Sequence, residues 1–285
     1  GVAEFDIVIA ENSLFTLRPA ASWISVVARL LRPDGMLMFG YMDAYGGFLE
    51  LLTKAIHARI RRTTEQDAVS AATSFLGPKW DTIPHKRTLE AFVMDVLETP
   101  FTRLQYLMEP VSISRSMHTA GLQVYSSWPP CVDGLRTEWI KKSLDREQEL
   151  TLQHEFVIRN RLSYLFGHAC FMTDLACAQE VAGMLDDLVR TTDGLIDGLD
   201  DEGVRRCLRV MDRVSGLLNS EGVGGRNQSL DVVRGIVKSV RCIYQLMLSQ
   251  QVDALVDFCR TDEAFVGNWG TPANVGVFRR FVYNG

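Results

Sequence analysis

The chain has 285 residues, 47% of them hydrophobic and 23% charged, with a formal net charge of -5. That is enough apolar material for one large or two ordinary cored domains. The acidic balance argues against a nucleic-acid partner, which needs concentrated Lys and Arg, and the short cluster Arg59, Arg61 and Arg62 reads as a solvated helix end. No apolar run reaches the roughly 18 residues that a membrane span requires, so no membrane partner is expected.

Residues 5–10, FDIVIA, are almost uninterruptedly apolar and β-branched, the pattern of a strand covered on both faces. The polar pair Glu11-Asn12 follows. Pro19 suits the first turn of a helix, and Trp23, Val26, Val27, Leu30 and Leu31 recur at helical spacing. Pro33 then biases Arg32 out of the helical region, Asp34-Gly35 supplies turn chemistry, and residues 36–39 form a second buried-strand pattern. The result is a βαβ unit with a right-handed crossover, and in such sheets ligands lie beyond the carboxyl ends of the strands.

Residues 41–47, YMDAYGG, form the loop at that edge. Tyr41, Asp43 and Tyr45 offer hydroxyls and a carboxylate for a polar substrate; equally, the tyrosines serve to cover the sheet edge. Residues 48–60 read as a helix with Phe48, Leu51, Leu52, Ala55 and Ile56 on one face, and residues 62–80, with Gly77-Pro78, as a loop or short helix. Residues 89–97 form a helix ending before Thr99-Pro100. Pro110 opens another, running to about residue 120, with Gly121 as its left-handed terminator. Residues 122–125 alternate as a strand that Pro129-Pro130 stops.

From Gly134 helical patterns dominate, over residues 135–166, 173–194, 201–218 and 229–260. The stripe Met184, Leu188 and Leu195 with Leu208, Met211, Leu217 and Leu218 reads as bundle core. In the acidic run from Asp193 to Glu202, Asp200 is placed to cap a helix. A divalent-cation site pairing this run with Asp186-Asp187 is the alternative to a capped turn. Gly222-Val223-Gly224-Gly225 has no strand before it and reads as a helix-helix connection, not a nucleotide loop. Residues 276–283 are strand-like again, with Phe278 and Phe281 on opposite faces. The domain reading is therefore a core over 1–133, a helical insertion over 134–270 covering the substrate side of the sheet, and a returning strand over 271–285.

Six cysteines contain no CxxC pair and five histidines no HExxH, so no metal is expected, and reduced thiols packed on helix faces fit a cytoplasmic setting.

FDIVIA, then Glu11-Asn12, a helix ending RLLRPDG and a strand ending in Tyr41 resemble the second half of a class I S-adenosylmethionine-dependent methyltransferase. Tyr41, Tyr45 and Gly46 also match the Y-x-x-x-Y-G that follows the fifth strand in a subset of that family. Asp95 matches, less closely, a carboxylate near their substrate pocket, and fits a plain helix surface as well. The resemblance implies an α/β fold: the C-terminal part of a Rossmann-like methyltransferase sheet, strands 4 to 7, plus a mostly helical region. It places Glu11 and Asn12 against the cofactor S-adenosylmethionine and Tyr41, Asp43, Tyr45 and Asp95 towards a small-molecule or glycan-like acceptor. It also puts the final strand, antiparallel, between the strands at residues 36 and 122. No catalytic residue follows from it.

The family's glycine-rich cofactor loop and ribose-binding acid do not precede Phe5, and the chain begins at Gly1, so the expectation is a truncated enzyme that binds the cofactor weakly or not at all. The alternative is a non-catalytic helical scaffold protein carrying a relic half-domain.

Overall fold

A computed structural model describes residues 4–11, 14–17, 20–84, 87–133, 145–198, 200–219, 223–225 and 227–281; Asn12 and Pro19 lie outside them. The first half of the chain runs β1 (Phe5–Ala10), α1 (Ala20–Leu30), β2 (Leu31–Met42), α2 (Phe48–Thr64), α3 (Ala68–Trp80), α4 (Leu89–Phe92) with a π turn (Val93–Leu97), α5 (Pro110–Thr119) and β3 (Leu122–Trp128). The second runs α6 (Arg146–Arg159), α7 (Arg161–Phe166), β4 (Cys170–Met172), α8 (Leu175–Leu195), α9 (Asp201–Leu217), β5 (Val223–Gly225), α10 (Asn227–Ser249), α11 (Val252–Thr261), α12 (Glu263–Val266) and β6 (Ala273–Arg280).

These elements make a mixed α/β protein divided into two compact units, residues 1–44, 105–158 and 272–285 in one, residues 45–104 and 159–271 in the other. The division differs from a boundary at residue 134. The stretch 45–104 joins the helical unit because the face of α2 carrying Leu51, Leu52, Ala55 and Ile56 is fully buried, and α2 packs on α3 and α8.

In the first unit the sheet order is β1-β2-β6-β3. β2 is parallel to β1, with Ala10 opposite Phe39, and β6 is antiparallel to both β2 and β3, with Phe278 opposite Leu37 on one side and Val124 on the other. The terminal run therefore lies between β2 and β3. One face is packed by α1 and α5: Trp23, Ile24 and Val27 with Ile113 and Met117 enclose Leu37, Phe39, Tyr41 and Phe278, and the Trp23 and Phe39 rings lie 4.8 Å apart.

β1 is not covered on both faces. Val8 and Ala10 face the core, but Phe5, Ile7 and Ile9 are 47%, 63% and 62% exposed. The packing explains the difference: α1 and α5 cover only the face that carries Val8 and Ala10, so the alternate residues Phe5, Ile7 and Ile9 meet no second layer although the run is apolar except for Asp6. Beside β3, α6 approaches that face through the Gln123 amide, which donates to Glu149.

Among its described residues the second unit's regular structure is helical except for a two-stranded antiparallel ribbon, β4 with β5. Residues 62–80, read as a loop or short helix, contain the thirteen-residue α3. Asp67 caps it by accepting from the Val69 and Ser70 amides, and Pro78 is tolerated because the Ser74 carbonyl that it leaves unbonded accepts from Arg260 at 3.1 Å. The pattern over 229–260 breaks into α10 and α11 at Gln250, which has φ 60°. Residues 223–225 are strand β5, not a bare connection. A Cβ on Gly224 would lie 2.6 Å from the Phe171 ring, so this glycine lets the ribbon close over an aromatic side chain. Asp200 caps α9 as expected, through the Glu202 and Gly203 amides.

Candidate functional site

The sequence-derived candidates divide between the units. In the first, Glu11 is exposed directly after β1, and Asn12 lies outside the described residues. Tyr41 is 5% exposed, with its ring stacked on Phe39 at 5.4 Å within the core. Asp43 is 1% exposed; its amide donates to the Pro272 carbonyl at 2.8 Å, and the next amide, that of Ala44, donates to the Met108 carbonyl at 3.0 Å. The end of β2 is thus pinned between the chain entering β6 and the chain entering α5. Glu11 faces solvent while Tyr41 and Asp43 are enclosed.

Tyr45 and Asp95 belong to the second unit. The Tyr45 hydroxyl donates to Asp186, and the Arg161 guanidinium lies 3.7 Å over the Tyr45 ring and 3.4 Å from the same carboxylate. Burial raises the Asp186 pKa, opposed by Arg161 and Arg190. Tyr45 is therefore committed to a part-buried cation-π and hydrogen-bonded trio. Asp95 is a surface residue paired with Arg87 at 3.0 Å. The acids considered for a cation have protein partners: Asp187 binds Arg206, Asp193 and Asp197 bind Arg103, and Asp200 caps α9.

A cleft of about 560 Å³ lies wholly within the second unit, lined by Lys54, His57, Arg61, Arg62, Glu98 and Asp197 among others. Residues 54, 57 and 61 share one stripe of α2, at i, i+3 and i+7. Lys54 is only 6% exposed and donates to the Thr99 carbonyl. Burial, then Arg103, pushes its pKa down to about 8, against the pull of Glu98, Asp193 and Asp197. His57 Nε2 is 2.8 Å from the Ala68 carbonyl, which can only accept, so that nitrogen carries the proton. Its Nδ1 faces Glu98 Oε1 at 3.5 Å, and burial holds the imidazole pKa below its ordinary value. Glu98 also accepts from Arg61 at 2.7 Å.

One wall of the cleft is fixed by Arg103, whose fork bonds Asp193 at 2.8 Å and Asp197 at 2.7 Å while the Leu104 amide donates to Asp193 at 3.0 Å. Arg61 and Arg62 are partly exposed and exposed, as expected of a solvated helix end, whereas Lys54 and His57 are not singled out by the sequence. The signal available was two ionisable residues interrupting the buried face of α2.

The chain matches no family model, no curated protein and no solved structure.

Proposed function

We propose that the sheet-bearing unit is the C-terminal part of a class I methyltransferase fold and serves methyl transfer from S-adenosylmethionine to a small-molecule or glycan-like acceptor. The observation that carries this reading is the place of β6. It runs antiparallel between β2 and β3, while β1 and β2 run parallel, which is the arrangement that the resemblance in residues 5–46 implies for strands 4 to 7. Strand order alone names no chemistry. The support from the site is Glu11, exposed just beyond the carboxyl end of β1, where open α/β sheets take their ligands.

In this reading Glu11 and Asn12 contact the cofactor, and the buried pair Tyr41 and Asp43 shapes the acceptor side from beneath. The work of the site is alignment: sulfonium methyl and acceptor atom are held in line, and a base is needed only for an acceptor that keeps its proton. Equilibrium dialysis with labelled S-adenosylmethionine tests the reading. Uptake should fall at least about fivefold in Glu11→Ala, the loss of roughly one charge-assisted hydrogen bond; equal uptake by the variant would reject the assignment.

A further inference from the structure

We infer that Lys54 is a reactive amine that condenses with small anionic aldehydes or ketones bound in the cleft of the helical unit. This inference is independent of the methyl-transfer reading. It rests first on placement: Lys54 lines an open cleft of about 560 Å³, yet its stem is buried among the helices and its Nζ is steadied by the Thr99 carbonyl. The amine is therefore held in the wall of the cleft. Arg61, paired with Glu98, and Arg62, which donates to the Ala58 and Leu195 carbonyls, lie seven and eight residues further along α2 and bring two permanent cations to a cleft that Glu65, Glu98 and Asp197 also line, about 10 to 12 Å along the helix axis. Long side chains at both ends suit a ligand with a carbonyl at one end and a phosphate or carboxylate at the other.

The groups facing Lys54 from other elements are Glu98 at the end of the π turn, Arg103, and Asp193 and Asp197 around the end of α8. Burial outweighs the three carboxylates, and with the pKa near 8 about a tenth of the amine is unprotonated at pH 7, against less than a thousandth for an ordinary lysine. Lys79 supplies the contrast. Burial pushes its pKa to about 7, but its Nζ is closed in by the Phe265 and Asn268 carbonyls and lies 4.4 and 4.6 Å from the Phe265 and Trp269 ring centres. With 1% exposure it offers no approach to a ligand.

The step is a condensation. The neutral Nζ adds its lone pair to the carbonyl carbon, the carbon-oxygen π pair moves to oxygen, and the oxygen takes up a proton as nitrogen sheds one, giving a carbinolamine. The hydroxyl then accepts a second proton and leaves as water while nitrogen forms the C=N bond, and loss of the remaining proton leaves an imine. Amine and carbonyl give imine and water, with no oxidant or reductant. Solvent water in the cleft takes and returns the protons.

The test is to treat the folded chain near pH 7.5 with pyridoxal 5′-phosphate as probe, trap with borohydride and map the adduct by mass spectrometry. The candidates are the lysines at 54, 79, 86, 141, 142 and 238. Lys54 should be modified first and to one equivalent, with inorganic phosphate slowing the reaction. Arg62→Ala should slow labelling by the phosphorylated probe at least about threefold more than labelling by pyridoxal itself. In Lys54→Arg, which keeps the charge, the fast equivalent should vanish while the melting temperature is retained. Labelling of Lys54 no faster than Lys238 in the unaltered chain, or an unchanged fast equivalent in Lys54→Arg, would overturn the inference.

Discussion

Phe39 of β2 stands directly opposite Gly276 of β6, so a fully buried ring of the sheet core faces a residue with no side chain. The vacancy on the glycine is filled from its own strand: a Cβ there would lie 2.6 Å from the ring of Phe278, itself 3% exposed. Gly276→Ala should therefore cost about 1–3 kcal/mol, because neither ring has room to yield. Gly183→Ala on an open face of α8, where an added Cβ meets nothing within 4 Å, should be neutral or stabilising by up to about 1 kcal/mol. Urea denaturation of both variants checks the pair, and equal midpoints would contradict this account of β6.

Arg103 should be the most sensitive charged residue of the helical unit. Its guanidinium is largely shielded and bridges two carboxylates, so Arg103→Ala should cost about 2–3 kcal/mol. Arg103→Lys should recover less than half of that, since an ammonium cannot span both acids with a planar fork. The hydrogen bond from Arg103 lowers the Asp197 pKa, so this contribution is present at neutral pH and is lost as pH falls into the acid range. Thermal melts at pH 7 and at about pH 2, below the ordinary Asp value of 3.8, should show the gap between the unaltered chain and Arg103→Ala narrowing in acid.

The pH dependence of stability just above neutrality should carry the sign of the buried lysines. Lys79 titrates near 7 when folded against 10.5 ordinarily, so between these values the unfolded chain binds a proton that the folded chain has shed. Stability therefore rises with pH, by up to about 1.4 kcal/mol per unit for that group, and Lys54 adds in the same direction above pH 8. Above about pH 9 the buried thiols Cys170, Cys207 and Cys259, whose pKa values burial raises, act in the opposite direction. Denaturation between pH 7 and 8.5 should show the rise, and Lys79→Met should flatten it.

Much of the sheet was legible because its signals are local. The end of α1 was legible to within a few residues, although Pro33-Asp34-Gly35 is an irregularity within β2, between the pairing of Phe5 with Leu31 and that of Ile7 with Met36, and not the turn before it; Gly121 takes the left-handed φ of 79° after α5, and the final run has its alternate faces in Phe278 and Phe281. The exposure of Ile7 and Ile9 was not legible, since an apolar run reads the same whether a second layer covers it or not. Strand β4 was missed because three residues carry too little periodicity, and α3 stayed open between a loop and a short helix because the partner that relieves Pro78, Arg260, is 182 positions further along the chain. The cleft was hidden for the same reason: Lys54 and His57 acquire meaning only through Thr99, Ala68 and Glu98, which the fold brings to them.

The methyl-transfer reading is tested most directly by mapping S-adenosylhomocysteine onto the chain through backbone amide chemical shifts at millimolar ligand. The account predicts perturbations concentrated just beyond the carboxyl ends of β1 and β2, at Glu11 and residues 40–44, and their loss in Glu11→Ala. Shifts confined to the helical unit, or shifts at Glu11 and residues 40–44 that persist unchanged in Glu11→Ala, would contradict it.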